Sequence, residues 1–357
     1  MINITKTYLP SKEKYKKYVD EIYKNGWITN NGPLVQKLEK RLANYLGVKN
    51  IILVANGTVA LEIAYRTLNL KGYAITTPFS FVATTSSLVT NGLKPIYADI
   101  DPETLNINPK NIKNSITKNT SAIVPVHIFG NACKIDEINK IAKENSLKII
   151  YDASHAFDVD YKGKNILNYG DISTLSFHAT KLFHTIEGGA LVINDDELVQ
   201  KAKYLINFGI ENPESIPELG TNAKMNEFEA AMGLCVLDEI DIIKQNRKKL
   251  YERYKTDLKD FVHLQIGNKN STQNYNYFPI MLKGEAQALK VQNALNKQNI
   301  YPRRYFYPSL DTLSYIEPKQ YMPNSREISS RILCLPLYPE LKLDEQMKII
   351  EIVKRNL

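Results

Sequence analysis

The stretch IILVANGTVALEIAYRTLNL (51–70) changes its period partway through. Residues 51–55 form a short, unbroken apolar run, the pattern of a strand buried on both faces of a sheet. After Asn56 and Gly57 the apolar residues recur at helical spacing. The alternation continues down the chain. YAITT (73–77) precedes FVATTSSLVTNG, and PIYADI (95–100) follows. SAIVPVHIFG (121–130) precedes a helical pattern near 134–145, and LKIIYDAS (147–154), ISTLSF (172–177) and GALVI (189–193) come next. Strands alternating with helices predict a mostly parallel sheet covered on both faces. Ligands of such sheets bind beyond the carboxyl ends of the strands.

Residues 224–242 (KMNEFEAAMGLCVLDEIDI) read as one long helix. From about 245 the pattern changes. A charged helix, KQNRKKLYERYKTDLKDF, leads to YNYFPIML, a helix near 285–299 and the tyrosine-rich YPRRYFYPSL. A chain of 357 residues is too long for one small core. The expected organisation is a large domain with an N-terminal arm, 1–243, and a small α+β domain, 244–357.

Composition narrows the function. The apolar 43% and charged 24% are those of an ordinary globular protein. No apolar run is long enough to span a membrane, and MINITKTYLPSKEKYKKY lacks the apolar core of a signal peptide. Cys133, Cys235 and Cys334 lie far apart, and neither they nor His127, His178 and His263 have metal-ligand spacing. They read as reduced thiols and structural histidines of a cytoplasmic protein without a metal. The net charge is +8, but the lysines form no basic block or RNA-binding motif, so no nucleic acid partner is expected. A mild positive field would help to draw in an anionic substrate.

Four strand ends carry the candidate chemistry. Gly57 and Thr58 open a helix directly after a strand, where free N–H groups and the positive end of the helix dipole can hold a phosphate. Alone, the pair reads as an ordinary cap. Phe81 follows the second strand and could stack on a planar ring, although taken alone it reads more readily as core packing. Asp152 ends a hydrophobic strand, where a carboxylate needs a cationic partner such as a protonated pyridine nitrogen, or else serves as a cap. His155, three residues on, could reach a neighbouring ring oxygen. In SFHATKLFHTIEGG (176–189), Ser176 offers a hydroxyl to a phosphate and Lys181 an amine that burial would drive toward its neutral, nucleophilic form. Gly188 and Gly189 permit close backbone approach. Together these are the parts that pyridoxal phosphate requires. A dehydrogenase on a similar sheet is disfavoured, because no G-x-G-x-x-G follows the first strand. A non-catalytic regulator binding the same cofactor would need an appended DNA-binding or membrane segment, and none is visible.

The order of these pieces resembles the DegT/StrS family of sugar-nucleotide aminotransferases, which have the aspartate-aminotransferase fold, fold type I. The resemblance runs through GWITNNGPLVQKLEKRLANYLG, NGTVAL, TPFSFVATTSSLVTNGLKPIYADID, SAIVPVHIFG, YDASHAF, SFHATKLFHTIEGG and LGTNAKMNEFEAAMG. It implies Lys181 as the Schiff-base lysine, Asp152 as the pyridinium partner, His155 at the ring hydroxyl and Phe81 on the ring. It implies Gly57, Thr58 and Ser176 at the phosphate, and Asn222 reaching the phosphate in a neighbouring subunit, hence a homodimer with shared sites. Ile186 stands where the family often has glycine, and Lys224 where it often has arginine. The lysine at 181, where deoxysugar dehydratases of the family carry histidine, implies transamination with L-glutamate as donor. WITNNGP, SFHATK and RRYFYPSLDTLSY are similar to the enzymes that aminate C-4 of dTDP-4-keto-6-deoxyglucose in surface polysaccharide synthesis.

Trp27, Tyr305 and Tyr307 could stack on the acceptor's base or sugar, Arg303 or Arg304 could pair with its phosphates, and His184 could face the substrate. Packing of the small domain is the other reading of these residues. The cofactor motifs do not set acceptor length, so a small phosphorylated ketone such as dihydroxyacetone phosphate is an alternative acceptor.

Overall fold

The computed structural model describes residues 1–357. Seven strands form the main sheet: β1 (Ile51–Val54), β2 (Tyr73–Thr76), β3 (Lys94–Tyr97), β4 (Thr120–Val124), β5 (Lys148–Asp152), β6 (Ile172–Ser176) and β7 (Gly189–Ile193). Their order is β1-β7-β6-β5-β4-β2-β3. Only β7 runs antiparallel to its neighbours; the other pairs are parallel. Successive strand residues point to opposite faces, and the cores follow. Ile51, Leu53, Ala190 and Val192 enter one buried cluster, whereas Ile52, Val54, Leu191 and Ile193 enter the other. Both faces are covered, which explains why these strands are apolar throughout.

A second unit follows. Strands His263–Leu264, Phe278–Met281 and Ile332–Leu335 form an antiparallel sheet flanked by helices Glu285–Asn296 and Leu343–Arg355. No helix is long and apolar enough to cross a membrane.

Residues 224–242 are not one helix. Lys224 is held at the sheet edge, bridged to Val54, and the Ala55 N–H donates to the Ala223 carbonyl at 2.8 Å. The helix starts at Glu227, after a capping box in which Asn226 Oδ1 accepts from the Glu229 N–H at 3.0 Å. It stops at Asp238. Glu239 leaves helical geometry, and its carboxylate is tied to Tyr8 and, at 2.6 Å, to Lys14 of the N-terminal arm. A new helix, Ile240–Leu258, then spans the boundary expected at 243/244. Ile240 and Ile243 pack in the first core, and Leu250, Tyr254 and Leu258 in the core of the second unit. The N-terminal arm also crosses over. Its strand Ile2–Asn3 pairs in parallel with Ile300–Tyr301 of the second unit.

Glu227 is buried, and its carboxylate accepts from the N–H groups of Leu34 at 2.8 Å and Val35 at 2.9 Å. It thereby caps helix Pro33–Leu46, whose own N-cap is the side-chain-free Gly32. A Cβ on Gly32 would lie 2.6 Å from the Glu227 Cδ. Glu227→Ala leaves two buried donors without acceptors and is expected to cost about 3 kcal/mol. The urea midpoint measures this. An unchanged midpoint would contradict the capping role.

Candidate active site

The carboxyl ends of β1, β5 and β6 open on one cavity of about 330 Å³, a volume suited to a small-molecule ligand. At β1 the chain turns through Asn56, whose Oδ1 accepts from the Val59 N–H at 2.9 Å, and enters helix Gly57–Thr67. That leaves the Gly57 and Thr58 amides at the helix N-terminus, beside the Ser176 hydroxyl at the end of β6. The segments meet so closely that a Cβ on Gly57 would lie 2.8 Å from Ser176 Cβ. A Cβ on Gly189 would lie 2.6 Å from the Asn56 carbonyl. Two glycines therefore make the cradle, and its donors, with no carboxylate among them, suit an anion.

Asp152 ends β5. One oxygen accepts from Thr84 Oγ1 at 2.8 Å and the other from the Ser154 N–H at 3.1 Å. His155 Nδ1 accepts from the Phe129 N–H at 3.3 Å, so the neutral ring carries its proton on Nε2. Burial, aided by the charge of Lys181, pushes the His155 pKa well below its ordinary value. The ring lies nearly parallel to Phe129 and Phe306, with centroids 6.1 and 5.6 Å away.

Lys181 lies in the turn after β6, fixed by its N–H bond to the His178 carbonyl at 2.9 Å. Its Nζ donates to Tyr277 Oη at 3.3 Å. Burial lowers the lysine pKa to about 8, against the opposing pull of Asp152 and Tyr305. At that value an appreciable share of the amine is neutral near pH 8.

The same cavity receives Phe81, Arg303 and Tyr305. Phe81 is 52% exposed, and Phe79, two residues earlier, is the one that fills the core. Core packing therefore does not account for Phe81. The Arg303 guanidinium lies 4.6 Å from the Tyr305 ring centroid.

Other expected site residues lie elsewhere. His184 does not face the substrate cavity: it is buried, and its Nε2 bonds to the Tyr8 carbonyl at 2.7 Å, tying the N-terminal arm to the lysine loop. Arg304 is engaged by Glu285 and the Ser330 carbonyl, both at 2.7 Å, and stacks on Tyr307. Trp27 lies beside Gly32, and Asn222 is bridged to Asn207, both outside the cavity of their own chain.

Sequence reasoning missed Thr84, Tyr277 and Phe306, which also line the cavity. The spacing of Phe81 and Thr84, one helical turn apart, was a usable signal for Thr84. Phe306 lies between Tyr305 and Tyr307 in a segment already singled out, whereas Tyr277 had no such signal.

The fold is that of a pyridoxal-phosphate-dependent transaminase of fold type I. It superposes on the crystal structure of DesI, solved in the presence of its TDP-sugar product, with a TM-score of 0.93 at 30% identity, covering 99% of this chain and 91% of DesI. Residues 10–354 match the DegT/DnrJ/EryC1/StrS aminotransferase family, and the chain belongs to it. It is 44% identical to a dTDP-4-amino-4,6-dideoxy-D-glucose transaminase of Shigella dysenteriae, over 99% of this chain and 98% of the relative. A protein of the same description from Escherichia coli is 37% identical over 99% and 98%.

Proposed function

We propose that this transaminase carries the amino group of L-glutamate to C-4 of dTDP-4-keto-6-deoxyglucose, in the cytoplasm, for a surface polysaccharide. The observation that carries the chemistry is the convergence of the Lys181 amine, the Asp152 carboxylate and the Gly57–Thr58 cradle on one cavity. The similarity to the Shigella transaminase supports the acceptor.

The donors fit pyridoxal phosphate. The cradle that a Cβ would fill accepts the phosphate, through the Gly57 and Thr58 amides and the Ser176 hydroxyl. Asp152, its two protein bonds made, would face the ring nitrogen and keep a proton there. His155 would offer Nε2–H to the ring hydroxyl oxygen, and Phe81 would cover the ring. When bound, the group supplies an electron-accepting ring and an aldehyde that carries nitrogen between substrates.

Lys181 Nζ, in its neutral form, takes the proton from the amino-bearing carbon of the donor. It delivers that proton to carbon within the same half-reaction, and in the second half of the cycle the same exchange ends with a proton delivered to C-4 of the sugar. The Arg303 guanidinium pairs with the acceptor's diphosphate, with Tyr305 beneath it. Arg304, held by Glu285, does not take that part. Asn222 completes the phosphate site of a second copy in a homodimer, which explains its place outside the cavity of its own chain.

The test is a single-turnover experiment. The loaded protein is converted with glutamate, freed of glutamate and given dTDP-4-keto-6-deoxyglucose. Rapid return of the original visible absorbance is expected. If only dihydroxyacetone phosphate restores it, the acceptor assignment is wrong and the donor chemistry stands.

A further inference from the structure

The hydrogen bond made by Lys181 Nζ goes not to a carboxylate but to a phenol from the second unit, Tyr277. Tyr277 directly precedes strand Phe278–Met281. Its backbone is anchored from the bridging helix, where Arg247 Nη1 donates to the Asn276 carbonyl at 3.2 Å. Its ring is fixed on three sides. His155 meets it at 5.0 Å and 64°, Tyr305 at 5.9 Å and 90°, and Phe129 at 5.3 Å and 51°. Nζ also lies 5.9 Å from the centre of that ring.

We propose that Tyr277 is the positioning residue for Lys181, its hydroxyl holding Nζ in one place through both protonation states. This rests on the transaminase reading above. A base that takes a proton and later returns one must be held both as amine and as ammonium. A carboxylate suits only the ammonium. A phenol accepts from the ammonium N–H and donates its own O–H to the lone pair of the amine. Each proton taken from carbon stays on Nζ only until it is delivered to carbon within the same half-reaction, and the phenol keeps its own proton throughout. It must therefore remain a phenol where Lys181 titrates. Burial raises the Tyr277 pKa far above that range, against the pull of Arg247 and Arg303. The other titratable groups facing Lys181 are Asp152 at the end of β5, His155 just after it, and Tyr305 from the second unit. His178 and Glu187 line the same cavity.

Tyr277→Phe keeps the ring and removes the hydroxyl. Two readings on the full-length chain test it. The first is the pH dependence of acylation at Lys181 in cofactor-free protein, followed by peptide mass spectrometry. The midpoint for the parent chain is expected near 8. In the variant it should fall by about half a unit or more, because the bond to the ammonium is the stronger of the two that are lost. The second is kcat with glutamate in loaded enzyme, expected to fall about 10- to 100-fold with KM within about threefold. Tyr275→Phe, at a tyrosine packed on Tyr251 outside the cavity, should leave both readings unchanged. An unmoved midpoint, a kcat within about twofold of the parent, or a rise in KM alone would each overturn the proposal. Should the parent enzyme fail to react with glutamate, the donor assignment falls, and the acylation midpoint still decides whether Tyr277 governs Lys181.

Discussion

Lys181→Ala is expected to lose turnover by at least about 10⁴-fold. Lys181 is the only lysine lining the cavity. Arg303, the other nearby cation, does not give up its proton at working pH. His155 is no substitute, because its Nδ1 is already bonded to the Phe129 N–H and burial holds its pKa low. The phosphate cradle is untouched by the change, so the variant should still retain the cofactor. Borohydride, however, should no longer fix it to the chain at position 181. Small primary amines such as methylamine can enter the vacated space and are expected to restore part of the single-turnover rate. A variant within tenfold of the parent enzyme would remove Lys181 from the chemistry.

Asp152→Asn should lower the rate of both half-reactions by about 10²- to 10³-fold while leaving cofactor retention nearly intact. The amide has the shape of the carboxylate and can keep its neighbours. Its oxygen can accept from the Ser154 N–H, and its NH₂ can donate to Thr84 Oγ1, which already shares a bond of 2.9 Å with Ser80 Oγ. What disappears is the negative charge that, on the proposed function, keeps a proton on the cofactor's ring nitrogen. The loss is therefore one of charge at fixed geometry, read as a fall in kcat without a matching fall in cofactor affinity. If the rate stays within threefold, or if rate and affinity fall in step, Asp152 is a structural cap and no more.

These two residues were legible in the sequence for a shared reason. Asp152 and Lys181, like Gly57 and Ser176, lie at or within a few residues of a strand end, and strand ends in an alternating chain are visible as breaks in an apolar run. The sheet was legible on the same ground, since strands such as IILV and GALVI are buried on both faces. Contacts made across distance in the chain were not. Tyr277 reaches Lys181 from 96 residues downstream, and no local pattern announces that. His184 has helical-turn spacing from Lys181, yet the N-terminal arm claims it through the Tyr8 carbonyl. The break at Glu239 was hidden because apolar periodicity continues across it, while its carboxylate is held by Tyr8 and Lys14 from the far end of the chain.

The pairing of Ile2–Asn3 with Ile300–Tyr301 has a consequence for how the molecule comes into being. A ribosome delivers the chain from its N-terminus at about 5–20 residues per second. The first strand therefore waits roughly 15–60 s, while some 300 further residues are made, before its partner exists. The seven strands of the large sheet are complete by Ile193 and can assemble in the meantime. The strand Ile2–Asn3 is thus sewn in last, after the second unit has been translated. Tyr8, by contrast, has its partners His184 and Glu239 in the chain by residue 239, so the contact that holds the lysine loop can form before the outermost strand is closed.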